Sequence, residues 1–277
     1  MRKLSLIFMA VLVAALAGCA GDTQEPGGTL TTVQDLQLDA TSAGRTIVLV
    51  WSAVTDDIDG YEVYFKTDGT GNWEKVGDSS TTTYTHTATN AGTYAVRAYK
   101  DTNFSENYSN EVSTMPTVIS ASYTIVDNWA PADMPSGFIF GTTAGQTGMA
   151  SEPGFVQDIY AYDDDFKGDT NISLYSGNKG TFGNGRQSYF QVPEGNGYCE
   201  PYGTGQWYNT SYKLYTSDSV VFVGLTDGSA INGYAKMYGL SIAGSSTEHG
   251  TELTFSYEIQ VGQQGAGYLT VFTSNAN

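Results

Sequence analysis

The strongest constraint on the fold is the alternation of apolar and polar residues at period two in a series of short segments. The segment TIVLVWSAV (residues 46–54) places Ile47, Leu49 and Trp51 on one side of an extended chain. Because successive side chains of a strand point to opposite faces, this pattern predicts a strand with one buried face. Similar segments recur along the chain, separated by turns rich in Gly, Asn and Asp. After residue 18 no segment longer than about ten residues has a helical period, so the sequence predicts an all-β protein.

The composition agrees with a folded β protein that carries an acidic surface. Among 277 residues there are 33 Gly and 20 Tyr, and aromatic residues make up 13% of the chain, which is too much for a disordered protein. The net charge is −17, and loss of the two positive charges of Arg2 and Lys3 would make it −19. Such a surface repels the phosphates of nucleic acids. We therefore expect no nucleic-acid partner and interpret the charge as an aid to solubility.

The N-terminus combines a basic start with a short apolar run. Leu4–Leu16 is shorter than the roughly 20 apolar residues that a spanning helix needs, and this arrangement is typical of a secretory signal peptide. The next residues, Leu16-Ala17-Gly18-Cys19, resemble the bacterial lipobox, in which the chain is cut before the cysteine and the cysteine is acylated. The alternative is a chance cysteine at an ordinary cleavage site.

The lipobox resemblance implies how the protein is held. Residues 1–18 would be the signal peptide, and residues 19–30, small, polar and containing Pro and Gly, would be the lipidated N-terminus and a flexible linker. Two or more acyl chains such as palmitate on Cys19 give stable attachment to a lipid bilayer. Ala20, rather than Asp, follows the cysteine, which resembles lipoproteins that pass to the outer membrane. We expect a lipid-anchored protein of the cell envelope.

Residues 31–115 carry a series of anchors in a characteristic order. A strand that contains Trp51 is followed by GYEVYF with Tyr61 and Val63, then by YAVRA from Tyr94 to Ala98, and finally by SNEVS. This order resembles the fibronectin type III family. The resemblance implies a β-sandwich that serves as a spacer or adhesion module without chemistry of its own. It also implies that Tyr94 is a buried corner tyrosine whose hydroxyl bonds back to the backbone.

Residues 117–277 match no family signature but continue the strand pattern. Seven to ten strands joined by Gly-rich turns predict a second, larger β-sandwich of the jelly-roll type. The clearest segments are residues 119–126, 154–162, 187–192, 219–225, 234–242, 252–261 and 267–272. The predicted fold is therefore a fibronectin type III-like sandwich followed by a jelly-roll-like sandwich.

The densest acidic cluster suggests calcium as the one cofactor to consider. Asp163, Asp165 and Asp169 are spaced around a glycine, and calcium takes six to eight oxygen ligands. The loop is not an EF-hand, because Lys167 and Leu174 stand where acidic ligands belong. A looser calcium site and a solvated turn both remain open.

An aromatic-rich segment in the last domain is a candidate ligand-binding surface. Residues 197–215 contain Tyr198, Tyr202, Trp207, Tyr208 and Tyr212 beside several polar side chains. Flat apolar faces with polar edges suit sugar rings, so we expect this segment to bind a glycan or a peptide. The alternative is that some of these rings line the core and others decorate a sheet.

The inventory for catalysis is poor. His86 and His249 lie in different domains, and neither is flanked by a nucleophile motif. Acylation of Cys19 would leave Cys199 without a disulfide partner, and no nearby His or Lys would lower its pKa. We therefore expect a non-enzymatic protein whose last domain binds a glycan, a peptide or an envelope protein. The alternatives are a polysaccharide hydrolase with carboxylates in that domain, or a structural part of an envelope assembly.

Overall fold

A computed structural model describes residues 29–67, 71–127, 134–162, 171–191, 199–227, 230–244, 250–262 and 268–273. All the regular structure in these ranges is β, in eighteen strands. This confirms the predicted all-β fold class. The lipobox and Cys19, the linker up to residue 28, the acidic residues Asp163, Asp165 and Asp169, and Tyr198 and His249 lie outside the described residues. Within the described ranges no helix is long and apolar enough to cross a membrane.

The first eight strands form the N-terminal sandwich. They are β1 (Gln34–Leu38), β2 (Thr46–Ser52), β3 (Gly60–Thr67), β4 (Glu74–Ser79), β5 (Thr83–Thr87), β6 (Gly92–Lys100), β7 (Asn103–Phe104) and β8 (Val112–Ser113). One sheet has the order β1-β2-β5, and the other has the order β4-β3-β6-β7 with β8 also paired to β6. This division of consecutive strands between two antiparallel sheets is a β-sandwich, as the fibronectin type III resemblance implied.

The buried faces of these strands are those predicted from the alternation. Ile47, Leu49 and Trp51 of β2 belong to one apolar core together with Tyr61 and Val63 of β3. The Trp51 and Tyr61 rings meet edge to face with centroids 5.3 Å apart, an arrangement that aromatic pairs favour. Alternation at period two therefore placed the core side chains correctly.

One implication of the family resemblance is wrong in detail. Tyr94 is fully buried on β6, as expected, but its hydroxyl lies 2.7 Å from Nδ1 of His86 on β5. The partner is thus a side chain on the facing sheet and not the backbone. His86 can take this role because it points between the sheets, where its ring also packs on Phe65 at a centroid distance of 5.9 Å.

The remaining strands form the second sandwich. They are β9 (Thr117–Val126), β10 (Gly137–Ile139), β11 (Gln146–Gly148), β12 (Ile159–Tyr162), β13 (Asn171–Ser176), β14 (Ser188–Gln191), β15 (Ser211–Tyr215), β16 (Val220–Thr226), β17 (Ile231–Ala243) and β18 (Glu252–Gln260). The two sheets have the orders β11-β10-β12-β13-β15 and β14-β16-β17-β18-β9. The chain crosses between sheets after β9, β13, β14 and β15. Its other connections stay within one sheet and are hairpins, except that β11 and β12 lie on either side of β10. A regular jelly roll crosses at nearly every step.

The core of the second sandwich lies between the two sheets. Phe138 of β10 packs edge to face against Phe255 and Tyr257 of β18, with centroids 4.9 and 5.7 Å away. Strand β16 differs from its neighbours because every one of its residues is buried. Its inward residues Val221 and Val223 join this core, whereas Val220 and Phe222 face outward and belong to a separate apolar cluster. Something must therefore cover the outer face of this sheet.

The cover is the C-terminal segment Tyr268–Thr273, hereafter the clamp segment. Phe272 enters the outer cluster, where its ring centroid is 5.5 Å from that of Phe222. Leu269 and Val271 point the other way and are buried in the core of the N-terminal sandwich. The clamp segment therefore contributes side chains to both sandwiches at once, although it follows the last strand of the second.

Backbone hydrogen bonds join the clamp segment to the N-terminal sandwich. The Gly44 amide donates to the Tyr268 carbonyl at 3.0 Å, and the Thr270 amide donates to the Gly44 carbonyl at 2.9 Å. The Ala91 amide donates to the Phe272 carbonyl at 2.8 Å. The two sandwiches thus share a buried junction, which a chain of two independent modules would not have.

Candidate binding surface at the domain junction

The loop that begins at Cys199 lies over the outer face of the second sandwich and contacts the first. Glu200 forms an ion pair with Arg45, with Oε1 and Nη1 2.9 Å apart, and its amide donates to Oε1 of Gln191 at 2.8 Å. Pro201 packs against Gly44 so closely that a Cβ on residue 44 would overlap its ring. Gly44 also has a φ of +59°, a left-handed conformation that glycine adopts readily. The junction therefore fixes the start of this loop.

Four rings beside this loop form a continuous group, hereafter the aromatic patch: Tyr189, Tyr202, Trp207 and Tyr234. The centroid of the Tyr202 ring lies 4.1 Å from that of Tyr189 and 6.2 Å from that of Trp207. The ring centroids of Trp207 and Tyr234 are 5.9 Å apart. The Tyr202 amide donates to the Tyr234 hydroxyl at 3.1 Å. Tyr202 remains 45% exposed. The patch therefore presents one accessible ring on a base of packed rings.

The other predicted aromatic residues lie elsewhere. Tyr208 pairs through its backbone with Phe190 of β14, with both hydrogen bonds at 2.8 Å. Its ring turns to Tyr212 of β15, 5.3 Å away, at the edge between the two sheets. The structure thus brings Tyr202 and Trp207 together and separates Tyr208 and Tyr212 from them.

Two members of the aromatic patch escaped the sequence prediction. Tyr189 lies on β14 and Tyr234 on β17, outside the aromatic-rich segment. The signal for Tyr189 was present, because alternation places it opposite the buried Phe190 and so on the outer face. The sheet order places the outer faces of β14 and β17 beneath the loop that begins at Cys199. The sequence did not reveal that order.

Three tyrosines of the patch and its surroundings have raised pKa values, so their hydroxyls stay protonated at neutral pH. Burial raises the pKa of Tyr234, and burial raises the pKa of Tyr212 to about 12. A hydrogen bond with Tyr202 raises the pKa of Tyr189. With Gln206, whose Nε2 donates to the Tyr208 hydroxyl at 3.1 Å, the surface offers neutral polar groups next to exposed ring faces.

Cys199 lies beneath the aromatic patch as an apolar residue. It is buried in the outer cluster with Phe222 and Phe272, and it is a free thiol. Burial raises its pKa well above the usual value. A thiol in that state is a weak nucleophile, and its position under the patch is a packing position.

The described residues provide no alternative metal centre. In the ranges given above, no three His, Cys, Asp or Glu side chains are grouped so that they could hold a metal ion. The acidic loop that contains Asp163, Asp165 and Asp169 is outside those ranges, so calcium binding there stays a prediction.

The comparisons with known proteins add fold-level likeness only. No family model matches the chain, and no curated protein matches it. Solved structures that align with it include the twitchin kinase region from C. elegans, the FN1–FN3 domains of chicken CNTN1, and titin kinase with its flanking domains. Their identities are 11, 11 and 12%, their TM-scores are 0.27, 0.26 and 0.29, and they cover 60, 81 and 84% of this chain. The chain in turn spans 33, 65 and 38% of theirs.

Proposed function

We propose that the protein is a non-enzymatic lipoprotein of the cell envelope. Its fibronectin type III module holds the second sandwich away from the membrane, and the aromatic patch binds a neutral glycan. The lipobox sequence supports the anchor at Cys19 and the outer membrane as its location. The single observation that carries the binding role is the 45% exposure of Tyr202 on a base of packed rings. An exposed aromatic ring that is held by packed neighbouring rings provides a surface on which a sugar ring can stack.

The junction between the sandwiches supports this role by holding the loop in place. The Arg45–Glu200 ion pair and the Gly44–Pro201 contact fix the residues directly before Tyr202. A surface that is ordered before binding loses less entropy when the ligand arrives. In this proposal the N-terminal module both separates the patch from the membrane and preorganises it.

A glycan array probed with the full-length protein tests the binding role. We expect Tyr202→Ala to weaken binding about tenfold, which corresponds to about 1.4 kcal/mol. Tyr215→Ala is the matched control, because Tyr215 is 48% exposed on the edge strand β15 and outside the patch. Equal binding by the two variants would refute a role for the patch, and no binding above background by the native protein would refute glycan recognition.

The anchor is tested separately by fractionation of cells that express Cys19→Ser. We expect the native protein in the membrane fraction and the variant in the soluble fraction, because the acyl chains attach to the cysteine sulfur. Retention of the variant in the membrane would mean that the lipobox interpretation is wrong.

A further inference from the structure

A pocket of about 130 Å³ opens between the two sheets of the second sandwich. Its lining includes Phe140 and Thr142, which follow β10, Asn232 of β17 and Ile259 of β18. Asp158 and Arg186 also line it. None of these residues belongs to the aromatic patch, so the pocket is a separate feature of the same domain.

A buried carboxylate and a half-buried guanidinium stand at the polar side of the pocket. Nε of Arg186 lies 2.6 Å from Oδ1 of Asp158, and the two side chains are 39% and 2% exposed. The Phe140 amide donates to the other carboxylate oxygen at 2.8 Å. Burial raises the pKa of Asp158, and the charge of Arg186 opposes that rise. The pair brings equal and opposite charges, so the pocket has no strong preference for an anion or a cation.

Several polar groups at the pocket have no side-chain partner in the part of the chain that the structure describes. Among the described residues, neither Nη nitrogen of Arg186 has a hydrogen-bond acceptor, and the Asn232 amide and Thr142 hydroxyl make no side-chain hydrogen bond. Arg donates through a planar fork, whereas Asn both donates and accepts. Within the described ranges these groups keep hydrogen-bonding capacity that suits a ligand with several hydroxyls.

The size and lining of the pocket narrow the ligand class further. Since one water occupies about 30 Å³ of liquid, the pocket of about 130 Å³ has room for about four waters, which suits part of one sugar ring and not a whole oligosaccharide. Phe140 and Ile259 provide apolar surface in the same pocket as the polar groups, and the C–H face of a sugar ring can pack on such a surface. A neutral polyhydroxyl group satisfies the size, the charge balance and the mixed donors and acceptors together.

We propose that this pocket binds the vicinal hydroxyls of a neutral sugar, either a free hexose or the terminal ring of a glycan. Arg186 and Asn232 bind the hydroxyls, and Phe140 packs on the ring. The inference rests on the proposed function only for the ligand class, because the residues involved differ from those of the aromatic patch.

Ligand-observed saturation-transfer NMR tests this proposal on the full-length protein in a zwitterionic detergent without a sugar head group. The probes are glucose, galactose and mannose as free hexoses, and neutral trisaccharides of each. Asn232→Ala removes the amide without disturbing the ion pair, and Arg186→Lys keeps the charge beside Asp158 but removes the fork. Tyr215→Ala is the matched control outside both the pocket and the aromatic patch, and Tyr202→Ala reports on binding at the patch. Thermal unfolding by circular dichroism shows that each variant is folded.

We expect at least one sugar to give a signal that falls about tenfold in affinity in Asn232→Ala, as loss of a polar contact to a sugar hydroxyl predicts. The same signal should persist in Tyr215→Ala. Signals from the free hexoses identify a free sugar as the ligand, and signals confined to one end of a trisaccharide identify a glycan end. No signal with any sugar, or unchanged affinity in Asn232→Ala, overturns the proposal. A signal lost only in Tyr202→Ala overturns the pocket and leaves the aromatic patch as the binding surface.

Discussion

Glu258 accepts two hydrogen bonds from Thr273, one from the backbone amide at 3.1 Å and one from the hydroxyl at 2.7 Å. Glu258 lies on the outer face of β18, and its side chain is fully buried. Lys236 on β17 reaches the same place, where its Nζ donates to the Thr273 carbonyl at 2.9 Å and lies 3.5 Å from Glu258. This group fixes the end of the clamp segment to the second sandwich.

Removal of an apolar side chain of the clamp segment should destabilise the whole protein. Leu269 is fully buried in the N-terminal core, and truncation of such a residue costs about 2–5 kcal/mol. We expect Leu269→Ala to lower the free energy of unfolding by that amount in urea denaturation. Tyr268→Ala is the control, because Tyr268 is 37% exposed and only its backbone is bonded at the junction. Similar losses in the two variants would show that the clamp segment does not stabilise the N-terminal sandwich.

A side chain at residue 44 should disturb the junction. Gly44→Ala introduces a Cβ that overlaps Pro201, in a left-handed backbone conformation that alone costs about 1–2 kcal/mol for other residues. Gly203→Ala is the matched control, since Gly203 has a φ of +95° but no atom within 4 Å of an added Cβ. We expect Gly44→Ala to lower the melting temperature more than Gly203→Ala in calorimetry. An equal decrease in melting temperature in the two variants would mean that only the backbone conformation, and not the contact with Pro201, is responsible.

Removal of the Lys236 charge beside Glu258 should lower the free energy of unfolding strongly, whereas removal of both charges should lower it much less. Lys236→Met leaves a buried carboxylate without its partner, which costs about 3–5 kcal/mol. Burial already raises the pKa of Glu258, so its charged form is poorly tolerated without Lys236. We expect Lys236→Met combined with Glu258→Gln to recover much of the lost free energy of unfolding. A double variant that is as unstable as the sum of the single variants would contradict coupling between the two groups.

Stability should fall on acidification because of His86. Burial lowers the pKa of His86 below its usual 6.5, so between those two pKa values the unfolded state binds more protons than the folded state. The contribution of His86 to the free energy of unfolding is therefore complete above pH 6.5, and it decreases as the pH falls toward the lower pKa of the folded state. We expect the melting temperature of native protein to decrease over this range.

The variant His86→Gln separates the effect of His86 on pH-dependent stability from the effects of the buried carboxylates. Asp158 and Glu258 have raised pKa values, so their contribution to stability grows as the pH falls and opposes that of His86. Both carboxylates are present in His86→Gln, which can still hydrogen bond to Tyr94. The difference in melting temperature between the native protein and this variant should therefore narrow as the pH decreases below 6.5. A difference that is independent of pH would mean that His86 does not titrate in this way.

Local pattern was enough for the main strands of the N-terminal sandwich and for β9, β14, β16, β17 and β18 of the second, but not for β10, β11 and β15. The strand predicted at residues 267–272 is wrong, because residues 268–273 form only an isolated bridge, between Leu269 and Gly44. Trp51 and Tyr94 are buried as the motif order implied, and alternation identified the inward faces of β2 and β6. Local pattern was not enough for the partner of Tyr94, because His86 reaches it from the facing sheet. Nor was it enough for the aromatic residues, since the Tyr202 ring packs on Tyr189 whereas the Tyr208 ring packs on Tyr212, despite their short separation in the chain.

The clamp segment divides what the sequence determined from what the tertiary structure decided. The alternation of residues 267–272 is visible in the sequence and predicts two distinct faces. Only the fold decides that Leu269 and Val271 are buried in one sandwich and Phe272 against the other. The physical reason is that alternation depends on the backbone geometry of neighbouring residues, whereas the partner of each face depends on which distant strands the sheets bring together.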